Sequence, residues 1–178
     1  WKHAETDLLN AFNAKLPADI SVLSCAHVKN DFHPRFDAKS RVYMYRILIS
    51  KQRQPLKERY EWRIAESLDM DMLNLAAGVV VGTHDFKCVG RAMKEDGSTI
   101  RTVFDAHWTK ESEDFYRFEI RANAFLYHMV RRIVFLQTSI ARSRMSLDQF
   151  RDMIDAKHSG KPGIAPPHGL CLMKCNYD

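Results

Sequence analysis

Between Phe115 and Arg142 the hydrophobic period changes from two to about 3.6, the mark of a strand followed by a helix. Tyr116, Phe118 and Ile120 alternate with Arg117, Glu119 and Arg121, the pattern of an antiparallel strand with one face buried and one wet. From about Ala124 to Arg142 the spacing predicts a long helix, with Leu126, Met129, Val130, Ile133, Leu136, Gln137 and Ile140 along one stripe. A half-buried strand running into an amphipathic helix requires a sheet with helices laid on it. The rest of the chain is therefore read for the other strands of that sheet.

Arg41 to Ile49 is rich in β-branched and aromatic residues, with Tyr43, Tyr45, Ile47 and Ile49 on one face and Val42, Met44, Arg46 and Leu48 on the other. Thr102–Thr109 is a further strand, joined to Phe115–Ala122 by the turn-like Lys110–Asp114, and Leu170–Tyr177 is the last. Ile20–Cys25 alternates like a strand entered from the turn Leu16-Pro17-Ala18-Asp19. Met72, Leu73, Ala76, Val79 and Val80 predict a helix over 69–81 that stops at Gly82. Ser146 opens another helix through a capping box with Gln149 and a staple of Met145 on Phe150. Lys51–Arg59, Lys87–Ile100 and Gly163–Gly169 read as loops. From Arg41 onward the order is β-α-β-β-α-(α)-β. That predicts an α+β fold of the split ferredoxin-like kind, a mixed or antiparallel sheet with helices on one face, in a single domain over 1–178.

Composition narrows the function classes. With 178 residues, a 46% hydrophobic content and 28% charged residues, the chain suits one globular domain. No apolar run approaches the ~18 residues of a membrane span, so no membrane partner is expected. The net charge of +5 is compatible with a phosphate-bearing partner. Cys25, Cys88, Cys171 and Cys175 form no C-x-x-C pair. They read as reduced intracellular thiols serving as small core residues, and no metal is expected. Walker-type, Rossmann-type and H-E-x-x-H signatures are absent.

Four segments carry the candidate chemistry. Asp31–Arg41 sets His33, Arg35, Lys39 and Arg41 on a loop ahead of the Tyr43 strand. Such a mixture of cations and aromatics grips phosphates and unstacked bases, though a solvated basic loop has the same composition. Tyr43 and Tyr45 point the same way from their strand, as core tyrosines also do. His128, Arg131 and Phe135 lie opposite the apolar stripe of the long helix, with Arg132 and Arg142 at its edges. Phe135 there needs cover, and a covering layer would bury Arg131, which would then need a carboxylate partner. Ala165-Pro166-Pro167-His168-Gly169-Leu170 is a tight loop feeding the last strand.

In order, these pieces resemble the tRNA pseudouridine synthases of the TruA type. The likeness rests on Leu8-Leu9-Asn10-Ala11, Leu16–Ile20, Asp31-Phe32-His33-Pro34-Arg35-Phe36, Ala38–Arg46, Gly82-Thr83-His84-Asp85-Phe86, Ala122–Arg131 and Ala165–Leu170. It spans nearly the whole chain.

The resemblance implies a basic cleft for tRNA, no cofactor or metal, homodimers, and isomerisation of uridine to pseudouridine, typically in the anticodon stem-loop. An aspartate carboxylate attacks the uridine, the C–N glycosidic bond breaks, the base turns, and a C–C bond forms. Carried over by position, Tyr43 is the active-site tyrosine, Arg131 the partner of the catalytic aspartate, and Leu170 the apolar floor of the pocket. Arg35 enters the RNA cleft, and His33, Lys39, Arg41, Arg101 and His128 are candidate RNA contacts.

The nucleophile-bearing G-R-T-D-x-G-V-H segment is not in this chain, and it is expected ahead of Trp1. The sequence is therefore read as the C-terminal portion of such an enzyme, inactive alone. Two departures from the family pattern are Pro34 in place of Ala, and Phe135 in place of Gly, which suggests different packing at the helix. A retired RNA-binding module and a ferredoxin-like interaction domain remain as alternatives.

Overall fold

The computed structural model of the protein describes residues 4–94, 96–155 and 162–177. It divides into two compact units, residues 1–37 and 38–178, and each has its own internal logic.

The first unit carries a helix that the strand-centred reading passes over, α1 (Glu5–Asn13), with acidic residues in its first turn where the helix dipole favours them. The strand expected over Ile20–Cys25 does not form. Its alternation has no sheet to serve: Ile20 and Leu23 are exposed, and the backbone of Val22 pairs with a side chain instead. Asn13 accepts from the Val22 amide at 2.7 Å and donates to the Val22 carbonyl at 2.9 Å. Further on, His33 builds a turn. Its Nδ1 accepts from the Arg35 and Phe36 amides, while its own amide donates to the Asp37 carboxylate at 2.7 Å.

The second unit is a six-stranded sheet made of β1 (Ser40–Ile49), β2 (Trp62–Ile64), β3 (Gly82–Asp85), β4 (Ile100–Lys110), β5 (Phe115–Ala122) and β6 (Leu170–Asn176). Strand β1 is central. One of its edges pairs antiparallel with β5 over Arg41–Leu48; the other is shared between β6, over Ser40–Tyr45, and parallel β2, over Ile47–Ile49. Beyond β5 lie β4 and then β3. The short strands β2 and β3 carry too few residues to show a period of their own.

Tyr45, Ile47, Trp108, Tyr116, Phe118 and Ile120 form one core with the helices α2 (Met70–Val79), α3 (Met129–Ala141) and α4 (Leu147–Ile154). All three helices therefore cover one face of the sheet, as the α+β reading requires. On the opposite face Arg46 stands across from Arg117, whose like charge is relieved by Glu111 at 2.8 Å.

Helix α2 starts at the Asp69 cap, whose carboxylate accepts from the Met72 amide, and α4 starts at the Ser146–Gln149 capping box. Gln137 sits on the apolar stripe of α3 and is fully buried. Its amide carbonyl accepts from the Trp108 indole at 2.8 Å and its NH2 donates to the Ala76 carbonyl at 3.4 Å. A polar residue in a core is tolerated when its groups are paired in this way.

The long helix begins later than its periodicity predicts, at Met129 instead of about Ala124. The Asn123 side-chain oxygen Oδ1 accepts from the Ala124 and Thr102 amides, a local bond that competes with helix formation. The Tyr127 amide donates to the Arg91 carbonyl at 3.0 Å, and His128 takes a left-handed φ of 66°. Such a conformation is rare and costly outside glycine. The chain between β5 and α3 is thus an ordered corner, fixed by contacts distant in sequence.

Candidate active site

Four sequence-derived candidates meet at that corner. Tyr43 from β1, His128 and Arg131 from the start of α3, and Leu170 from the start of β6 line one cavity of about 360 Å³, with Phe125, Tyr127 and Pro167 among its other walls. Tyr43 is half-buried, and Phe125 meets its ring edge-on, centroids 5.0 Å apart at 86°. Among the described residues no side chain or backbone group hydrogen-bonds the Tyr43 hydroxyl. Burial raises its pKa above the usual tyrosine value, with Cys175 adding to the rise and Arg41 opposing it. At neutral pH the side chain is therefore a neutral phenol.

Arg131 does two things at once. Its Nε donates to the Ala165 carbonyl at 2.6 Å, and its own carbonyl accepts from the Ala165 amide at 3.2 Å. The Tyr45 hydroxyl donates to the Pro166 carbonyl at 2.7 Å. Three bonds thus pin the Pro-rich loop that delivers Leu170. Gly169 is needed there by space: a Cβ would lie 2.8 Å from the Arg46 carbonyl oxygen and from two Tyr45 ring carbons.

The cover sought for Phe135 comes from the same loop, since a Cβ on Gly163 would fall 2.4 Å from the ring. Phe135 is thus accommodated by a glycine facing it. Among the described residues no carboxylate lies within 4 Å of the Arg131 guanidinium. Arg131 sits in the first turn of α3, where the helix dipole adds to its positive field, so this wall of the cavity favours an anion.

His128 is held below the usual histidine pKa by desolvation and by the nearby Arg131, Arg132 and Arg91. It faces the cavity as a neutral imidazole at neutral pH.

The remaining candidates lie elsewhere. Arg41 donates to the carbonyls of Ala38 at 2.8 Å and Asn123 at 2.7 Å, tying the start of β1 to the β5–α3 corner. Arg101 donates to the carbonyls of Ser98 and Ile100, and burial lowers its pKa. Lys39 is exposed. None of the three lines the cavity. His33 and Arg35 belong to the first unit, where the Arg35 guanidinium lies 5.9 Å from the centroid of the Phe36 ring. Arg142, expected at the edge of the Arg131 face, bonds Glu66 instead, beside Arg144.

Two side chains that matter to the cavity carry no sequence signal of their own. Phe125 is visible in sequence only as part of the run Asn123–Arg131. Tyr45 shares the strand face of Tyr43, and nothing local tells the loop-pinning tyrosine from the open one.

The four cysteines are free thiols, but Cys88 alone is buried and Cys171 is exposed, which corrects the reading of all four as core residues. Among the described residues no three His, Cys, Asp or Glu side chains converge as a metal site requires. Nor is any helix among them long and apolar enough to cross a membrane.

Comparison with known proteins finds a family and several relatives. The family model described as tRNA pseudouridine synthase matches residues 76–178, a stretch that contains Arg131 and Leu170. A tRNA pseudouridine synthase A of Thermoanaerobacter sp. (strain X514) is 40% identical over 168 residues, covering 94% of this chain and 68% of the relative. That of Halalkalibacterium halodurans is 37% identical over 169 residues, covering 93% and 63%. That of Thermotoga sp. (strain RQ2) is 33% identical over 169 residues, covering 94% and 69%.

Proposed function

The chain belongs to the tRNA pseudouridine synthase family, and from that premise we propose that the full-length protein isomerises uridine to pseudouridine in tRNA, in the anticodon stem-loop. Tyr43, Arg131 and Leu170 supply three walls of the uracil pocket, and an aspartate carried outside these 178 residues is the nucleophile. One observation carries the reading: the guanidinium of Arg131 borders a cavity together with Tyr43 and Leu170, and no described carboxylate pairs with it. An aspartate brought to that wall would be held ionised and aimed by Arg131 and the start of α3, as a nucleophile requires.

The volume of about 360 Å³ lies at the low end for ligand sites and suits a single base. A uridine must leave its stack to enter, at a cost of a few kcal/mol that contacts with Tyr43 and Leu170 offset. Once the carboxylate has attacked and the C–N bond has broken, the base turns and joins through C5. Tyr43, as a neutral phenol, stacks on uracil without a charge penalty, and its oxygen takes the C5 proton as its own O–H proton passes to water. Arg35, His33, Lys39, Arg41 and Arg101 contact the RNA outside the pocket, and two copies of the protein form the working unit.

A second reading, a catalytically inactive RNA-binding module, draws support from the bond between Arg131 Nε and the Ala165 carbonyl. An arginine that pins a loop would be kept whether or not an aspartate pairs with it. The readings part when the full-length protein and the 178-residue chain are each incubated with unmodified tRNA transcript. Pseudouridine is expected from the former and none from the latter. Turnover by the short chain would place the nucleophile within these residues, and no turnover by either would favour the inactive module.

A further inference from the structure

A second and larger cavity, of about 760 Å³, adjoins the first and is lined by Lys87, Arg91, Lys94, Thr99 and Tyr127 with their neighbours. Tyr127 lines both cavities, so they share a wall. We propose that this second cavity is a nucleotide subsite for the residue of single-stranded RNA next to the isomerised uridine, with its base on the Arg91–Tyr127–His128 column and its phosphate on Arg91 and Lys94. The inference rests on the family reading and extends it from one flipped base to two.

Three observations carry it. The first is the column itself. The Arg91 guanidinium carbon lies 4.9 Å from the centroid of the Tyr127 ring, and Tyr127 stacks on His128 at 3.7 Å between centroids and 27° between planes. Flat surfaces of this kind bind bases without regard to sequence, because every base has a π-face. Tyr127 is 45% exposed, so the column is open to a ligand.

The second is charge. Three cations and no carboxylate are among the described lining residues, and of these cations only Lys87 has a described acidic partner, Asp85 at 3.4 Å. Arg91 and Lys94 are exposed and offer their donors to a phosphate.

The third is the backbone that fixes the wall. The Tyr127 amide donates to the Arg91 carbonyl, and Gly90 lets the two segments close, since a Cβ there would lie 2.4 Å from Leu126 Cβ. The stacking wall is thus built before any ligand arrives, and its side chains can be replaced without loss of a main-chain bond.

The test measures binding of the full-length protein to unmodified tRNA transcript across a salt series. Tyr127→Leu is expected to weaken binding about ten-fold with the salt slope unchanged, and Tyr127→Phe to stay within about two-fold of wild type. Arg91→Ala with Lys94→Ala is expected to lower the slope of log K against log salt by about 0.7 per lost phosphate contact, while Arg151→Ala on α4 leaves it unchanged. Wild-type affinity and slope in all these variants, with pseudouridine still formed by the wild type, would overturn the subsite and leave the family reading standing. Equal losses in Tyr127→Leu and Tyr127→Phe would overturn the stacking role. A wild-type protein that neither binds nor modifies the transcript would overturn both proposals.

Discussion

Replacing Gly169 with alanine adds one methyl group where the structure has no room for it. The Cβ would lie 2.8 Å from the carbonyl oxygen of Arg46 and 2.8 Å from two carbons of the Tyr45 ring. Neither neighbour yields easily. The carbonyl belongs to the central strand β1, paired on both sides, and Tyr45 is fully buried with its hydroxyl on Pro166.

Overpacking at such a site costs about 1–3 kcal/mol, and displacing the ring forfeits the Tyr45–Pro166 hydrogen bond, about 1 kcal/mol more. The expected loss is therefore about 2–4 kcal/mol, or about 4–16 °C in Tm for a chain of this size. Thermal unfolding followed by circular dichroism reads it directly. A double-mutant cycle with Tyr45→Phe adds a control, because both substitutions act on the same bond and their costs should fall short of additive. A Tm within 1 °C of wild type for Gly169→Ala would mean that the loop is not packed against β1, and the account of how Leu170 is positioned would fall with it.

Tyr43→Leu in the full-length protein is expected to leave tRNA affinity within about three-fold and abolish pseudouridine formation; normal single-turnover formation would remove Tyr43 from the chemistry. Gln137→Leu strands the buried Trp108 indole N–H and should destabilise by about 1–3 kcal/mol in urea unfolding, with most of the loss absent when Trp108→Phe is already in place. The His128 ring should titrate below the ordinary histidine value of about 6.5 when followed by NMR. Because its folded pKa is the lower one, the associated stability is present above the unfolded pKa and lost as pH falls below it. A measured value above 7 would refute the crowding by Arg91, Arg131 and Arg132. Arg35→Glu should weaken tRNA binding and lower its salt slope by about one unit, and an unchanged slope would place the RNA elsewhere.

Sequence by itself determined the elements whose period is long enough to read. The strands around Tyr43, Trp108 and Phe118, the helices behind the Asp69 and Ser146 caps, and the body of α3 follow from alternation, helical spacing and side chains that bond the nearest backbone. Those are local rules, and the residues obeying them are adjacent in the chain. It also pointed to Tyr43, Arg131, Leu170 and His128, three of them by resemblance to family motifs and His128 as an expected RNA contact.

Tertiary structure decided what depends on partners far away. Ile20–Cys25 alternates without a neighbouring strand to pair with, and the Asn13 side chain takes its backbone instead. Ala124–His128 has helical spacing, yet Arg91 and Asn123 bind its amides first, and the resulting corner aims His128 and Arg131 into one cavity. Arg41 reads as an RNA contact, and its Nη1 also donates to two main-chain carbonyls, because the chain leaving β5 lies within 3 Å of it. Period and composition say which surface a residue prefers; which atoms lie across from it is set only when segments more than a hundred residues apart, such as Tyr45 and Pro166, are brought together.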